Sequence, residues 1–216
     1  MTNLFTDLKK KDYLCEKIKQ IIMVYSIDLT KRYSYADYLT WIDDVRRELI
    51  EGIVKMMPAP LSKHAEVSSN ISWHLENVVR KKKGNCKVFH APFDVRLPKD
   101  CNNDNNKIHT VVQPDISVIC DLSKIDKRGC CGAPDMIVEI FSPSTGKRDL
   151  HDKFLIYQEA GVREYWIVYP ENEAVNVFYL QGDGKYDGGH VYEFEGKVPV
   201  RIFEGVMIDL KDIFER

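Results

Sequence analysis

The sequence predicts an α/β or α+β domain in which a β-sheet is flanked by helices, and three observations lead there. Two apolar, β-branched runs, residues 110–119 and 134–144, each carry a Pro-Asp pair and are bounded by turn residues, so they read as strands. Segments of helical period precede and follow them, at 62–83 and about 147–160. A third strongly apolar strand, 163–170, comes after the second helix, giving the alternation expected of a sheet covered by helices.

The chain of 216 residues is long enough to bury a sizeable core, and one domain over 29–216 is expected, behind an N-terminal extension over 1–28. The formal net charge of -2 does not exclude nucleic acid, because a local basic cleft can sit in a nearly neutral chain. No apolar run approaches the roughly 18 residues that span a membrane. The segment 1–11 is charged and lacks the pattern of a secretory signal, which suggests a cytoplasmic protein. The six cysteines show no Cys-x-x-Cys spacing, and Cys130 and Cys131 are adjacent, so free thiols are expected.

In chain order, Ile18, Ile21, Ile22 and Val24 form a weak helical stripe in the lysine-rich N-terminal extension. Over 33–47, Ser34 is a candidate N-cap and Tyr38, Trp41, Ile42 and Val45 recur at helical spacing, predicting a helix. Over 48–58, Gly52 predicts a turn, inside a short hairpin or at a strand entry. The helix over 62–83 has Ser62 as N-cap, an apolar face of Val67, Ile71, Leu75, Val78 and Val79, and four cations before Gly84. Those cations complement the helix dipole, and contact with nucleic acid is the second use open to them. Residues 87–97 form a strand that Pro92 interrupts at a bulge or edge, and 98–109 is a polar surface loop. After the lysine- and cysteine-rich connection 121–133 and the second Pro-Asp strand, the helix over 147–160 buries Leu150, Phe154 and Tyr157 and stops at Gly161. A hairpin over 174–194 and a closing strand with one helical turn over 204–216 complete the chain.

The two Pro-Asp runs contain an anomaly. Asp115 stands near the start of one and Glu139 in the middle of the other, where an unpaired carboxylate would cost several kcal/mol. Pairing, protonation or a metal removes that cost. Two carboxylates on neighbouring strands suit Mg²⁺, with Mn²⁺ as a substitute, because hard oxygens hold such ions while waters and substrate phosphates complete the shell. A cation in such a site activates water and neutralises charge on a phosphodiester in flight. Lys153, in the helix after the Glu139 strand, is the candidate ammonium.

Pro114-Asp115, Val138 to Thr145, Asp149, Lys153, Tyr157, Gly161-Val162 and Glu164-Tyr165-Trp166 together resemble the Uma-type putative restriction endonuclease family, within the PD-(D/E)XK nuclease superfamily. Upstream, Arg47 to Gly52, Met57-Pro58 and His64 also match, so that the resemblance spans about 31–211. It implies a restriction-endonuclease-like fold with a central mixed sheet, and metal-dependent hydrolysis of DNA. Asp115 and Glu139 would be the metal ligands. Phe141 occupies the place where the superfamily's lysine usually stands, so Lys153 would supply that function from the helix. Glu48 would add a carboxylate beside the metal, and His64 would touch water or phosphate. A dimer would suit the cutting of two strands.

Each residue also has a structural reading. Glu139 could partner a buried cation, and Asp115 could cap a turn. Asp135, four residues before Glu139, is a rival to Asp115. Lys153 could pair with Asp149 on the helix surface, His64 could cap or meet solvent, and Glu48 could pair with Arg46 or Arg47. Tyr165 and Trp166 are core or sheet residues. An inactive binding or assembly protein on the same fold is the alternative to a nuclease.

Overall fold

The computed structural model describes residues 27–82, 84–99, 104–142 and 146–215, without the side chains of 146–149. The predicted N-terminal helix, Cys15 and Cys101 lie outside the described residues.

The first helix, α1, spans only Tyr35–Tyr38. Ser34 caps it as expected, with its side chain and that of Asp37 bonded reciprocally to backbone N–H groups. The longer helix over 33–47 does not form. The Asp43 carboxylate instead takes the backbone N–H of Val45 at 2.9 Å and the guanidinium of Arg47 at 2.9 Å, which turns the chain. The aromatic residues at helical spacing form a local cluster, with Tyr33 and Tyr38 both against Trp41, while Ile42 is 82% exposed.

Strands β1 (Arg47–Ile50) and β2 (Ile53–Met56) form the expected hairpin. Its two loop residues, Glu51 and Gly52, have φ of 50° and 82°, and a Cβ at Gly52 would meet the Tyr33 carbonyl oxygen at 3.0 Å. Helix α2 then runs from Ser62 to Lys82, with Ser62 as its first residue. The run over 87–97 crosses between sheets at Pro92, as β3 (Lys87–His90) and β4 (Val95–Arg96). The run over 110–119 also divides, into β5 (Val111–Val112) and β6 (Ile116–Ile119). Pro114 has no N–H to continue a ladder, and the N–H of Gln113 is donated to a side chain.

The connection 121–133 holds a hairpin of β7 (Ile125–Asp126) and β8 (Gly129–Cys131). After it come β9 (Met136–Ile140), α3 (Gly146–Ala160) and β10 (Glu164–Tyr169). Gly161, at φ 89°, ends α3 by donating its N–H to the Tyr157 carbonyl. Strands β11 (Ala174–Tyr179) and β12 (His190–Glu193) form the next hairpin. Strands β13 (Lys197–Pro199) and β14 (Met207–Asp209), then helix α4 (Lys211–Phe214), close the chain.

Two six-stranded sheets result, in the orders β2-β1-β5-β4-β8-β7 and β12-β11-β10-β9-β6-β3. In the second sheet β9 and β10 are parallel and joined across α3, while β6 runs antiparallel to β9. Alternation along β9 divides the core. Met136, Val138 and Ile140 join Val67, Ile71 and Leu75 of α2 on one face, whereas Ile137 joins Tyr157 of α3 and Val95 and Val112 of the first sheet. Glu139 falls on the α3 side.

Free thiols are found at Cys130 and Cys131, but Cys86 and Cys120 form a disulfide. Lys87 pairs with Ile119 across β3 and β6, so the two cysteines follow opposite one another in register. Their separation of 34 residues in sequence gives no sign of this.

Candidate active site

Register fixes the two strand carboxylates. Ile116 pairs with Val138 and Ser117 with Ile137, so one further antiparallel step sets Asp115 opposite Glu139 on the same face. Asp115 Oδ2 accepts the backbone N–H of Ile140 at 2.7 Å and lies 3.2 Å from His64 Nε2. Asp135, the rival, instead ties strands together. It accepts the N–H of Cys120 at 2.8 Å and pairs with Arg163 at 3.0 Å.

Glu139 meets α3. Lys153 is only 4% exposed, and its Nζ donates at 3.0 Å both to Glu139 Oε1 and to Glu48 Oε1. One turn later, the Tyr157 hydroxyl donates to Glu139 Oε1 at 2.6 Å. Lys153 thus lies buried between the Glu139 and Glu48 carboxylates rather than out on the helix surface. The reading of Glu139 as partner of a buried cation is realised, and Glu48 shares that cation. Burial pushes the Glu139 carboxyl up to about 7, against the pull of Lys153 and with further upward pressure from Asp115 and Glu48. Burial, with Glu139 and Glu48 beside it, raises the Tyr157 hydroxyl well above its usual range, so it stays a proton donor.

Glu48 is held by residues that sequence reasoning missed. Its Oε1 also accepts the Gln113 backbone N–H at 2.7 Å. The Gln113 side chain donates to Asp94 at 2.9 Å and Tyr38 at 3.3 Å, and accepts from Arg46 Nη2 at 3.2 Å. Arg46 and Arg47 therefore bond Gln113 and Asp43, not Glu48. For Gln113 the sequence signal was adjacency to Pro-Asp, whereas Tyr157 stood in the buried helical stripe and among the family-matching residues, with nothing to mark its hydroxyl as a partner of Glu139. His64 is half-buried. Desolvation alone would lower its pKa, but the hydrogen bond and charge of Asp115, with the charge of Glu139, raise it overall. Phe141 packs its ring 5.5 Å from that of Tyr169, and its N–H goes to the Val168 carbonyl. The position of the missing lysine is thus filled by aromatic packing.

These groups form the floor of a cleft of about 800 Å³, with Asp115, His64, Glu139, Glu48 and Lys153 all lining it. Among the described residues no three His, Cys, Asp or Glu side chains are grouped to hold a metal by themselves. A two-carboxylate site for a hard cation still fits the donor chemistry. Three carboxylates face one ammonium and one imidazole, an acidic excess that a divalent cation would offset. The bonds from Lys153, Gln113 and Tyr157 all fall on Oε1 atoms, leaving Oε2 of Glu139 and Glu48 for other ligands. Mg²⁺ needs few protein ligands, since it keeps several waters.

The mixed sheet with a helix crossing between its parallel strands is that of a restriction-endonuclease-like fold. The chain belongs to the Uma2 family, described as putative restriction endonuclease, whose model matches residues 35–211. It is similar to an uncharacterized protein of Synechocystis sp., slr1290, at 24% identity over 162 residues, which cover 72% of this chain and 78% of the relative. The fold is shared with a crystal structure titled a putative nuclease belonging to DUF820, from Anabaena variabilis. That likeness has a TM-score of 0.67 at 23% identity and covers 84% of this chain and 97% of the other.

Proposed function

We propose that the protein is an endonuclease that hydrolyses DNA phosphodiester bonds with Mg²⁺ held by Asp115 and Glu139, Mn²⁺ being able to replace it. The observation that carries this reading is the Lys153 ammonium held at 3.0 Å from both Glu139 and Glu48 on the floor of an open cleft. When bound, the cation supplies Lewis-acid charge neutralisation and a more acidic water. The residues do the rest. Tyr157 and Lys153 fix Oε1 of Glu139, a residue that lines the cleft, and Oε2 would be its donor to the cation. Glu48 holds the ammonium in place beside the charge that develops on phosphate. Asp115, anchored by the Ile140 N–H, holds His64 Nε2 where it can meet water or a phosphate oxygen.

The test is plasmid cleavage with and without Mg²⁺, together with calorimetric Mg²⁺ titration. Glu139→Ala is expected to remove metal-dependent cleavage by about 10²- to 10⁴-fold while the protein remains folded. Asp115→Asn is expected to lose the titratable metal. Undiminished cutting by Glu139→Ala overturns the assignment. Absence of both cutting and Asp115-dependent binding assigns the fold to the inactive binding or assembly role.

A further inference from the structure

The cleft has two walls that hydrolysis does not use. One is apolar, formed by Met56 at the end of β2 and by Met57, Pro58 and Pro60 after it. The other is α2, whose small residues Ala65, Ser68, Ser69 and Ser72 line the cleft up to Trp73. Trp73 is 61% exposed in the middle of a helix, with its ring set edge-to-face on His74 at 4.8 Å. It also lines a second depression of about 600 Å³, which continues along α2 past His74 and Asn77 to Lys81, with Asp212 and Glu215 on its far side. The indole therefore stands on the ridge between two hollows, and the helix beyond it ends in Arg80, Lys81 and Lys82.

Depth and charge decide what this path can take. Glu48, Glu139 and Lys153 are 2%, 7% and 4% exposed, so a phosphate must descend to reach them. The cleft volume lies in the range that encloses a small ligand, about 300–1,000 Å³. A rigid duplex resting on the rim keeps its phosphates above the floor, whereas an unpaired strand bends in. The cations Arg46, Lys55 and Lys153 are outnumbered by the carboxylates of Glu48, Glu76, Asp115 and Glu139, with the imidazoles of His64 and His90 beside them. Phosphate neutralisation, the main source of duplex affinity, is correspondingly weak here. Base stacking needs no net charge, and each base on an aromatic platform contributes roughly 5- to 150-fold in affinity.

We propose that the cleft receives an unpaired stretch of nucleic acid rather than intact duplex, with one base stacked on Trp73 and the strand continuing along α2 toward Lys81. The inference rests on the nuclease reading of the same floor and names its substrate class. A DNA strand and an RNA strand share the chemistry that would be recognised.

The experiment is fluorescence anisotropy in EDTA, so that nothing is cut, on the full chain. The probes are a labelled oligothymidylate of about 12 nucleotides, an oligouridylate of equal length and a duplex of equal length. At least one single strand is expected to bind about tenfold or more tightly than the duplex, and the tighter of the two identifies the natural polymer. Trp73→Ala is expected to weaken single-strand binding by roughly 5- to 150-fold, and Trp73→Phe to restore most of it. An unchanged thermal melt shows that the exposed substitution leaves the fold alone. Equal or tighter duplex binding, no binding of any probe, or full binding by Trp73→Ala each overturns the inference. Cleavage of the single strands and of plasmid with Mg²⁺ is scored separately. Cutting that survives such a result retains the nuclease and discards the strand preference. Trp73-dependent binding in a protein that cuts nothing retains the stacking surface and discards the hydrolysis.

Discussion

Glu139 and Glu164 lie on adjacent parallel strands, and burial pushes each carboxyl up to about 7. Their surroundings differ. Glu139 shares its face with Tyr157 and Lys153, and opens into the cleft. Glu164 is two residues from Trp166, whose indole N–H it accepts at 2.8 Å, and takes the Ile202 backbone N–H at 2.9 Å. Those neutral donors make Glu164 a fastener between β10 and the segment after β13. A raised carboxyl pKa therefore marks both an anchor and a candidate catalytic group. What separates them is a shared cation and access to a cavity.

The largest expected effect breaks the pair apart on activity. The loss predicted for Glu139→Ala should have no counterpart in Glu164→Gln, which stays within a few-fold of the parent in plasmid cleavage. Equal losses would make Glu139 another fastener. Next comes Lys153→Met, which leaves Glu48 and Glu139 facing each other without their common ammonium. Breaking such a buried arrangement costs about 3–5 kcal/mol, seen as a melting temperature lower by roughly 6–20 °C in calorimetry. Adding Glu139→Gln to that variant should recover part of the loss. A single variant as stable as the parent would show that the ammonium is not what compensates the two acids.

The acids were legible in sequence because an ionised residue inside an apolar strand violates its own pattern, and Lys153 because it sat beside a buried helical stripe. Their partners were not. Gln113 acts through its backbone N–H, which any residue but proline could supply, and the Tyr157 hydroxyl looked like one more apolar contact. The division into two sheets was also hidden, since β4, β5 and β7 have two residues each and carry no period of their own. Helical spacing over 33–47 misled for the converse reason. Tyr38 and Trp41 cluster locally with Tyr33, and the Asp43 carboxylate captures the backbone before a helix can propagate. The disulfide depended on a strand register that linear spacing does not reveal.

Glu164 predicts a measurable pH dependence. Its folded value of about 7 stands above the ordinary 4.5, so the native state holds a proton that the unfolded chain releases. The stability linked to that proton is complete below pH 4.5 and declines as pH rises to 7 and beyond. Glutamine has no proton to lose. Glu164→Gln should therefore show a flatter stability profile between pH 5 and pH 8, by on the order of 2 kcal/mol. The amide also forfeits one acceptor for Trp166 or Ile202, but that cost is the same at every pH, so the slope is the readout. Urea midpoints at several pH values measure it, and parallel profiles for parent and variant would place the titration elsewhere.

The smallest effect tests how firmly Glu139 is held. Tyr157→Phe keeps the ring in the core and removes only the 2.6 Å hydrogen bond to Oε1. Lys153 still donates to that oxygen, so the carboxylate loses one of two donors and keeps its charge partner. A net cost of about 1 kcal/mol is expected in urea unfolding. Cleavage should fall by less than about tenfold, because the surviving ion pair preserves most of the orientation. A loss matching that of Glu139→Ala would mean that the ion pair alone does not orient Glu139, and that the hydroxyl belongs to the reacting constellation rather than to its support.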